Sequence, residues 1–256
     1  MSGTAQVTMP WPYPRWIAHR GAGKLAPENT LAAFRLGAAH GWRAFECDVK
    51  LSADGVPFLL HDATLERTST GQGTAGGLAW EALSRLDAGA WHSRAYAGEP
   101  LPTLAAVAAY VRANGFRLNI EIKPTPGTES LTGRAVAEAV RGLWAGEAVP
   151  PLLSSFRPEA LLAARAAAPE LPRALLLDTP WPGWFEIACQ LGCVAVVTNH
   201  AWMDEAVLQQ LHGAGMKGLV YTVNDAAEAR RLLAIGIDGI ITDAVDRFAP
   251  AADPGA

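Results

Sequence analysis

Four places in the chain put ionisable side chains at the end of a short apolar run. They are His19-Arg20, Glu46 with Asp48, His61-Asp62, and Glu121 with Lys123 beside Asn119. Residues two apart on an extended strand share a face, so Glu46 and Asp48 point together while Cys47 points away. Glu121 and Lys123 share a face in the same way, with Ile120 and Ile122 directed oppositely, towards a helix layer. Three carboxylates converging at one mouth repel each other strongly at low dielectric. Either some take up protons or a cation sits among them. Oxygen donors suit Mg²⁺ or Ca²⁺ better than zinc, and the Cys and His residues show no zinc-site spacing. Arg20 and Lys123 add positive charge beside such a cation. Cation, guanidinium and ammonium together form an anion site, and phosphate is its natural guest. His19 and His61 are candidates for an acid and a base. Solvated strand-end charges would account for one such pair; four strand ends delivering charge to one rim argue for an active site.

The elements that must position these residues follow from the pattern of apolar residues. Short β-type runs alternate with helical runs through most of the chain. Strands are expected at 15–18, 42–49, 56–60, 116–123, 151–155, 173–177, 194–198, 217–222 and 238–242. Helices are expected at 29–40, 103–114, 131–145, 158–168, 183–191, 203–213 and 225–235. Asn29 or Thr30 is placed to cap the first helix, and Asp54-Gly55 signals a turn between the second and third strands. The stretch from Ala63 to Pro102 breaks the rhythm with many glycines and reads as an inserted cap subdomain. Repeated β–α units with short loops imply parallel strands and right-handed crossovers. About eight such units in 256 residues fit an α/β single domain, a (β/α)8 TIM barrel, better than an open doubly wound sheet. In such a barrel the reactive groups belong at the carboxyl ends of the strands, where the four clusters lie. The Pro-, Ala- and Gly-rich tail from Pro250 reads as flexible.

Composition narrows the function. Half of the residues are hydrophobic, 18% are charged, and the formal net charge is −4. Lys and Arg are scattered, without the basic stripe of a nucleic-acid binder. Three cysteines, Cys47, Cys189 and Cys193, form no disulfide framework, and Gly192 argues against one helix running through the last two. They read as reduced, packed thiols. The amino terminus lacks a basic start followed by an apolar run, so no secretory signal is expected. No run of about 18 apolar residues suggests a spanning helix. The expected location is the cytoplasm, with no membrane partner.

The motifs that carry these residues resemble the glycerophosphodiester phosphodiesterases. They are His19-Arg20-Gly21, Pro27-Glu28-Asn29-Thr30, Glu46-Cys47-Asp48-Val49, Asp54-Gly55, His61-Asp62, Leu65-Glu66-Arg67-Thr68, Asn119-Ile120-Glu121-Ile122-Lys123, Tyr221-Thr222-Val223-Asn224 and Asp238-Gly239-Ile240-Ile241-Thr242-Asp243. They run from about Trp11 to Phe248 in the family's order and are nearest to its cytoplasmic bacterial branch, associated with glycerol 3-phosphate uptake. The resemblance implies a TIM barrel with an insertion after the early strands. It implies one divalent cation, Mg²⁺ or Ca²⁺, held by Glu46, Asp48 and Glu121. It also implies an acid/base pair in His19 and His61, with phosphate and substrate contacts from Arg20 and Lys123. Tyr221 stands where many relatives carry Trp, which keeps an aromatic wall and adds a hydroxyl. The implied reaction converts a small-molecule glycerophosphodiester to sn-glycerol 3-phosphate and an alcohol.

Two rivals remain. A phospholipase D-like or inositol-phosphodiester lyase on the same fold would need apolar surface to engage lipid, and no clear amphipathic membrane helix is evident. A non-catalytic phosphate-binding protein would be expected to lack a histidine or a metal ligand. Other candidates have plainer readings. Glu28-Asn29-Thr30 serves either as a helix cap or in the site. His40, His92 and His212 read as structural, and His200 as a possible rim residue. Asp62 reads as orienting its surroundings. Head group, choice of ion, nucleophile and oligomeric state are not fixed by the sequence.

Overall fold

The structure, a computed structural model, describes residues 11–248 and 250. The amino-terminal stretch read for a signal lies outside the described residues, as does the tail apart from Pro250.

The elements run β1 (Trp16–Ala18), α1 (Leu31–Ala39), β2 (Ala44–Leu51), β3 (Pro57–Leu59), α2 (Trp80–Leu83), α3 (Leu104–Ala113), β4 (Arg117–Ile122), α4 (Glu129–Leu143), β5 (Leu152–Ser155), α5 (Pro158–Ala167), β6 (Arg173–Leu177), α6 (Trp184–Gln190), β7 (Ala195–Asn199), α7 (Glu205–Gly213), β8 (Lys217–Tyr221), α8 (Ala226–Ala234) and β9 (Gly239–Thr242). Eight strands pair in parallel in the order β1, β2, β4, β5, β6, β7, β8, β9, and β9 closes back on β1. This is the (β/α)8 barrel. Among the described residues no helix is long and apolar enough to cross a membrane.

β3 is the exception to the parallel rule. It folds back antiparallel on β2, with Val49 opposite Leu59 and Leu51 opposite Pro57. The turn places Gly55 at φ +82°, a left-handed conformation that glycine adopts without a Cβ penalty. Parallel partners need a long crossover, whereas five residues permit only a hairpin. The Asp54-Gly55 turn signal between the two strands agrees with this hairpin.

Strand alternation divides the apolar residues into two layers. Cys47, Val49, Ile120 and Ile122 face outwards and pack with Phe34, Val107 and Val136 between strands and helices. Ile17, Ala44, Leu152, Leu176, Val197, Leu219 and Ile241 fill the barrel interior. Burying each large aliphatic side chain contributes about 1.5–3 kcal/mol. Tyr13 joins the interior layer and donates from its hydroxyl to the Pro150 carbonyl at 2.8 Å. The opposite end of the interior is polar, and the candidate residues lie there.

Residues 63–102 contain α2, two short 3-10 turns and an apolar cluster of their own, with Leu65, Ala75, Leu83, Ala88 and Leu101 packed around Phe58 and Leu60. The Asp87 carboxylate ties this irregular chain by accepting from the backbone N–H groups of Gly89, Ala90 and Gly98. The three cysteines are free; Cys47 and Cys193 are buried, but Cys189 is exposed on α6, so it is not the packed thiol expected.

Candidate active site

The register of β2 against β4 brings the acids together. Asp48 lies opposite Glu121, and Glu46 opposite Asn119. Glu46, Asp48 and Glu121 each offer a carboxylate oxygen, and these atoms lie within 4.8 Å of one another. All three are buried. Oxygens on opposite sides of a Ca²⁺ ion stand about 4.6–5.2 Å apart, and about 4.0–4.2 Å across Mg²⁺. The donor set therefore fits a hard divalent cation, with no sulfur or nitrogen ligand in the group.

Electrostatics supports the same reading. Burial, then the charges of Asp48 and Glu121, push the Glu46 carboxyl well above its usual range. Burial and Asp48 raise Glu121 to about 7. Burial also works against the Asp48 charge, but Arg20, Lys123 and His61 outweigh it and hold that carboxyl far below the ordinary value. Asp48 receives a hydrogen bond from Asn29 Nδ2 at 2.8 Å and ion pairs from Arg20 Nε at 3.2 Å and Lys123 Nζ at 3.5 Å. Lys123 Nζ also lies 2.8 Å from Glu121 Oε1. The Arg20 backbone N–H donates to Glu46 Oε2 at 3.2 Å, from a residue held at φ +50° in the turn after β1. Acids that resist full ionisation by themselves are those a doubly charged ion would relieve.

The two histidines flank this group, each gripped by a carboxylate. His19 Nδ1 lies 2.6 Å from Asp243 Oδ1, and its Nε2 lies 3.8 Å from Glu46 Oε2. Asp243 follows β9 and is fixed in turn by Asn224, whose Nδ2 donates to its carboxylate at 3.0 Å. Asn224 Oδ1 accepts from the Asp243 backbone N–H at 2.8 Å. His61 Nδ1 lies 2.6 Å from Asp62 Oδ1. Arg67 joins Asp62 to Glu28, and Glu28 accepts from Arg20 Nη1 at 2.9 Å. Burial, opposed by Asp48, keeps the His61 imidazole below its ordinary pKa, so it stands neutral near pH 7. His61 does not arrive from a barrel stave. The long β2 overshoots the rim, and β3 carries His61 back down to it, where the Leu60 N–H donates to the Asp48 carbonyl at 3.1 Å.

A cavity of about 170 Å³ opens among these groups, lined by His19, Arg20, Glu46, His61, Glu121, Lys123 and Tyr221. Asp48 lies buried beneath it at 1% exposure. All eight candidate residues thus converge. Tyr221 supplies a wall rather than a charge: it meets Phe156 edge to face at 5.8 Å, and its hydroxyl donates to the Leu177 carbonyl at 3.2 Å. Burial, with Asp178 nearby, pushes its phenol well above the ordinary value.

Sequence reasoning gave no role to Asp243, Asn224, Ser154 or Phe156. Thr30 is the α1 cap, accepting from the Ala33 N–H, while Asn29 turns inward at φ +59° to bind Asp48. The choice between cap and site is therefore divided between neighbours. His200 pairs with Glu228 at 2.8 Å and does not line the cavity. His212 pairs with Asp238 at 2.7 Å, away from the mouth.

Residues 19–247 match the family described as "Glycerophosphoryl diester phosphodiesterase family". A glycerophosphodiester phosphodiesterase of Caldanaerobacter subterraneus is 33% identical, over 89% of this chain and 93% of its own. A phosphodiesterase of Oleispira antarctica, solved in complex with the product sn-glycerol-3-phosphate, superposes with a TM-score of 0.87 at 35% identity, covering 92% of this chain and 95% of that one. A glycerophosphodiester phosphodiesterase from Agrobacterium tumefaciens superposes with a TM-score of 0.76 at 28% identity, covering 92% of this chain and 99% of that one.

Proposed function

The chain belongs to the glycerophosphoryl diester phosphodiesterase family, and on that premise we propose that it hydrolyses glycerophosphodiesters to sn-glycerol 3-phosphate and an alcohol, with His19 and His61 as its acid/base pair. The observation that carries this reading is the meeting of a buried carboxylate triad and two carboxylate-held histidines at one cavity.

A phosphodiester carries one negative charge, which grows on the way to the transition state. A divalent cation held by Glu46, Asp48 and Glu121, Mg²⁺ or Ca²⁺, would polarise a phosphoryl oxygen and offset that charge. Arg20 and Lys123 add fixed positive charge around the phosphate. Glu28 and Asp48 hold the Arg20 guanidinium on its two sides, so little reorganisation is needed when an anion enters. One histidine takes a proton from the nucleophile while the other gives one to the leaving oxygen. The bond broken is that between phosphorus and the alcohol oxygen, and water supplies the replacing oxygen, directly or after attack by the glycerol 2-hydroxyl. Tyr221 and Phe156 form an apolar wall for the carbon skeleton.

In this reading the chain is one barrel domain, and residues 63–102 form a cap subdomain that carries Arg67 to the mouth. The substrate is a small molecule rather than nucleic acid or membrane, in keeping with a net charge of −4 and scattered basic residues. Cytoplasmic placement rests on the resemblance to the cytoplasmic branch of the family.

The test is release of sn-glycerol 3-phosphate from glycerophosphocholine and its relatives, with and without EDTA. Release that EDTA abolishes and Mg²⁺ or Ca²⁺ restores is expected. No release from any glycerophosphodiester with either ion overturns the reading. Faster turnover of lysolipid micelles would reassign the protein to a lipid-directed enzyme.

A further inference from the structure

A second cavity of about 500 Å³ adjoins the first. His61, Glu121, Lys123 and Phe156 line both, so a diester held at the triad can reach into either. The larger cavity is cationic. Lys50, Lys123 and Arg157 line it. Lys50 is 2% exposed, and the Lys123 carbonyl, at 3.3 Å, is the hydrogen-bond acceptor of its ammonium. Arg157 is exposed at the outer edge; its backbone N–H is bonded to Ser155, while its guanidinium makes no hydrogen bond or contact ion pair among the described residues and acts at longer range on Glu129. The two carboxylates of the lining are already engaged: Asp62 with His61 and Arg67, Glu121 with Lys123. Positive charge is thus in excess.

The features that would bind a quaternary ammonium are missing from this lining. Such a cation needs several aromatic faces or a free carboxylate. Phe156 is the aromatic ring here, and Lys123 Nζ already stands over it, 5.6 Å from the centroid.

We propose that this cavity seats the leaving alcohol and selects alcohols bearing an anionic group, with a second phosphate the best match to Lys50 and Arg157, the two cations of the lining that no carboxylate engages at contact distance; the inference rests on the phosphodiesterase reading above. The smaller cavity then holds the glycerol phosphate common to all substrates. Arg157, at the edge, meets the far end of the alcohol, and Lys50 meets its middle.

The test compares kcat/KM for three diesters at low ionic strength: 1,3-bis(sn-glycero-3-phospho)glycerol, whose leaving alcohol carries a phosphodiester, sn-glycero-3-phosphoglycerol, whose alcohol is neutral, and sn-glycero-3-phosphocholine. The anionic substrate should exceed the choline substrate by about tenfold, the gain expected of one or two partly solvated charge pairs. The neutral substrate should fall between, and added salt should shrink the ratio. Arg157→Glu should cut the ratio about tenfold, chiefly through KM for the anionic substrate. This residue is exposed, so the variant should fold; Lys50→Met is the buried counterpart. A wild-type ratio of one or less, or a ratio that Arg157→Glu leaves unmoved, overturns the proposal while leaving the phosphodiesterase reading intact. No turnover of any of the three overturns both.

Discussion

Each histidine at the mouth is held through Nδ1, which leaves Nε2 as the nitrogen available to a substrate. A neutral imidazole whose Nδ1–H is donated to a carboxylate presents a basic Nε2, and the carboxylate favours the imidazolium that follows proton uptake. His19→Ala and His61→Ala should each lower kcat by about 100-fold or more. Near-normal turnover in either purified variant would remove that residue from the acid/base role. Asp243 touches no substrate in this arrangement and acts through His19. Asp243→Asn keeps the size but can present its amide to Nδ1 and favour the wrong tautomer. It should lower kcat by at least about tenfold with little change in KM, because binding of the diester does not pass through it. An equal loss in kcat and thermal stability, with rescue by neither Asp243→Glu nor imidazole, would assign Asp243 to structure alone. The charged cluster was legible because strand alternation forces Glu46 with Asp48 and Glu121 with Lys123 onto one face. Asp243 was not, because its partner lies 224 residues earlier and only barrel closure brings β9 beside β1. Asn29 was hidden by its neighbour: both Asn29 and Thr30 have cap-forming side chains, and which one turns inward is set by tertiary contact with Asp48.

At the scale of elements, the helix and strand pattern was readable to within a residue or two because each element carries its own period of apolar residues. The direction of β3 is set by its five-residue connection to β2 and not by its own three residues, whose burial shows no alternation. Close helix contacts were hidden. Gly133 sits inside α4, where alanine would be the better helix former by about 1 kcal/mol. A Cβ there would stand 2.1 Å from the Ala160 carbonyl oxygen on α5. Glycine is therefore required by the approach of two backbones, not by local conformation. Gly133→Ala should push α4 from α5 and cost about 1–3 kcal/mol net, lowering Tm by roughly 3–10 °C in a domain of this size. Metal affinity should stay unchanged, since the triad stands on β2 and β4. A variant with wild-type Tm would show that the helices slide apart without penalty.

For the whole molecule, the acids that would hold the ion also make stability depend on pH. Glu46 has its carboxyl raised by burial and the charges of Asp48 and Glu121, and Glu121 by burial and Asp48 to about 7. An unfolded glutamate titrates near about 4.3. A group whose folded pKa is raised gives stability that is complete below the unfolded value and lost as pH climbs through the folded one. Asp48, held low by Arg20 and Lys123, works oppositely, but its contribution is lost only as pH falls below the unfolded aspartate value near about 3.9. The lowered His61 pKa opposes the two glutamates only up to its unfolded value near about 6.5, so from there to about pH 8 the glutamates set the slope, and metal-free protein should lose Tm as pH rises. Because β2 and β4 are neighbouring staves of a closed sheet, repulsion across them loosens the barrel as a unit rather than one loop. A divalent cation reverses the sign. It binds the folded state, and at 100 times its Kd it stabilises by about 2.7 kcal/mol, or roughly 5–10 °C. Its ligands must be ionised, so affinity should fall and protons should be released as pH drops below about 7. Thermal scans in EDTA and in excess Mg²⁺ or Ca²⁺ at pH 6 and pH 8 test this, with calorimetry in two buffers to count protons. The rise in Tm on adding the ion should be larger at pH 8. Equal rises at both values, with no proton release at pH 6, would mean that Glu46 and Glu121 are already ionised in the metal-free barrel.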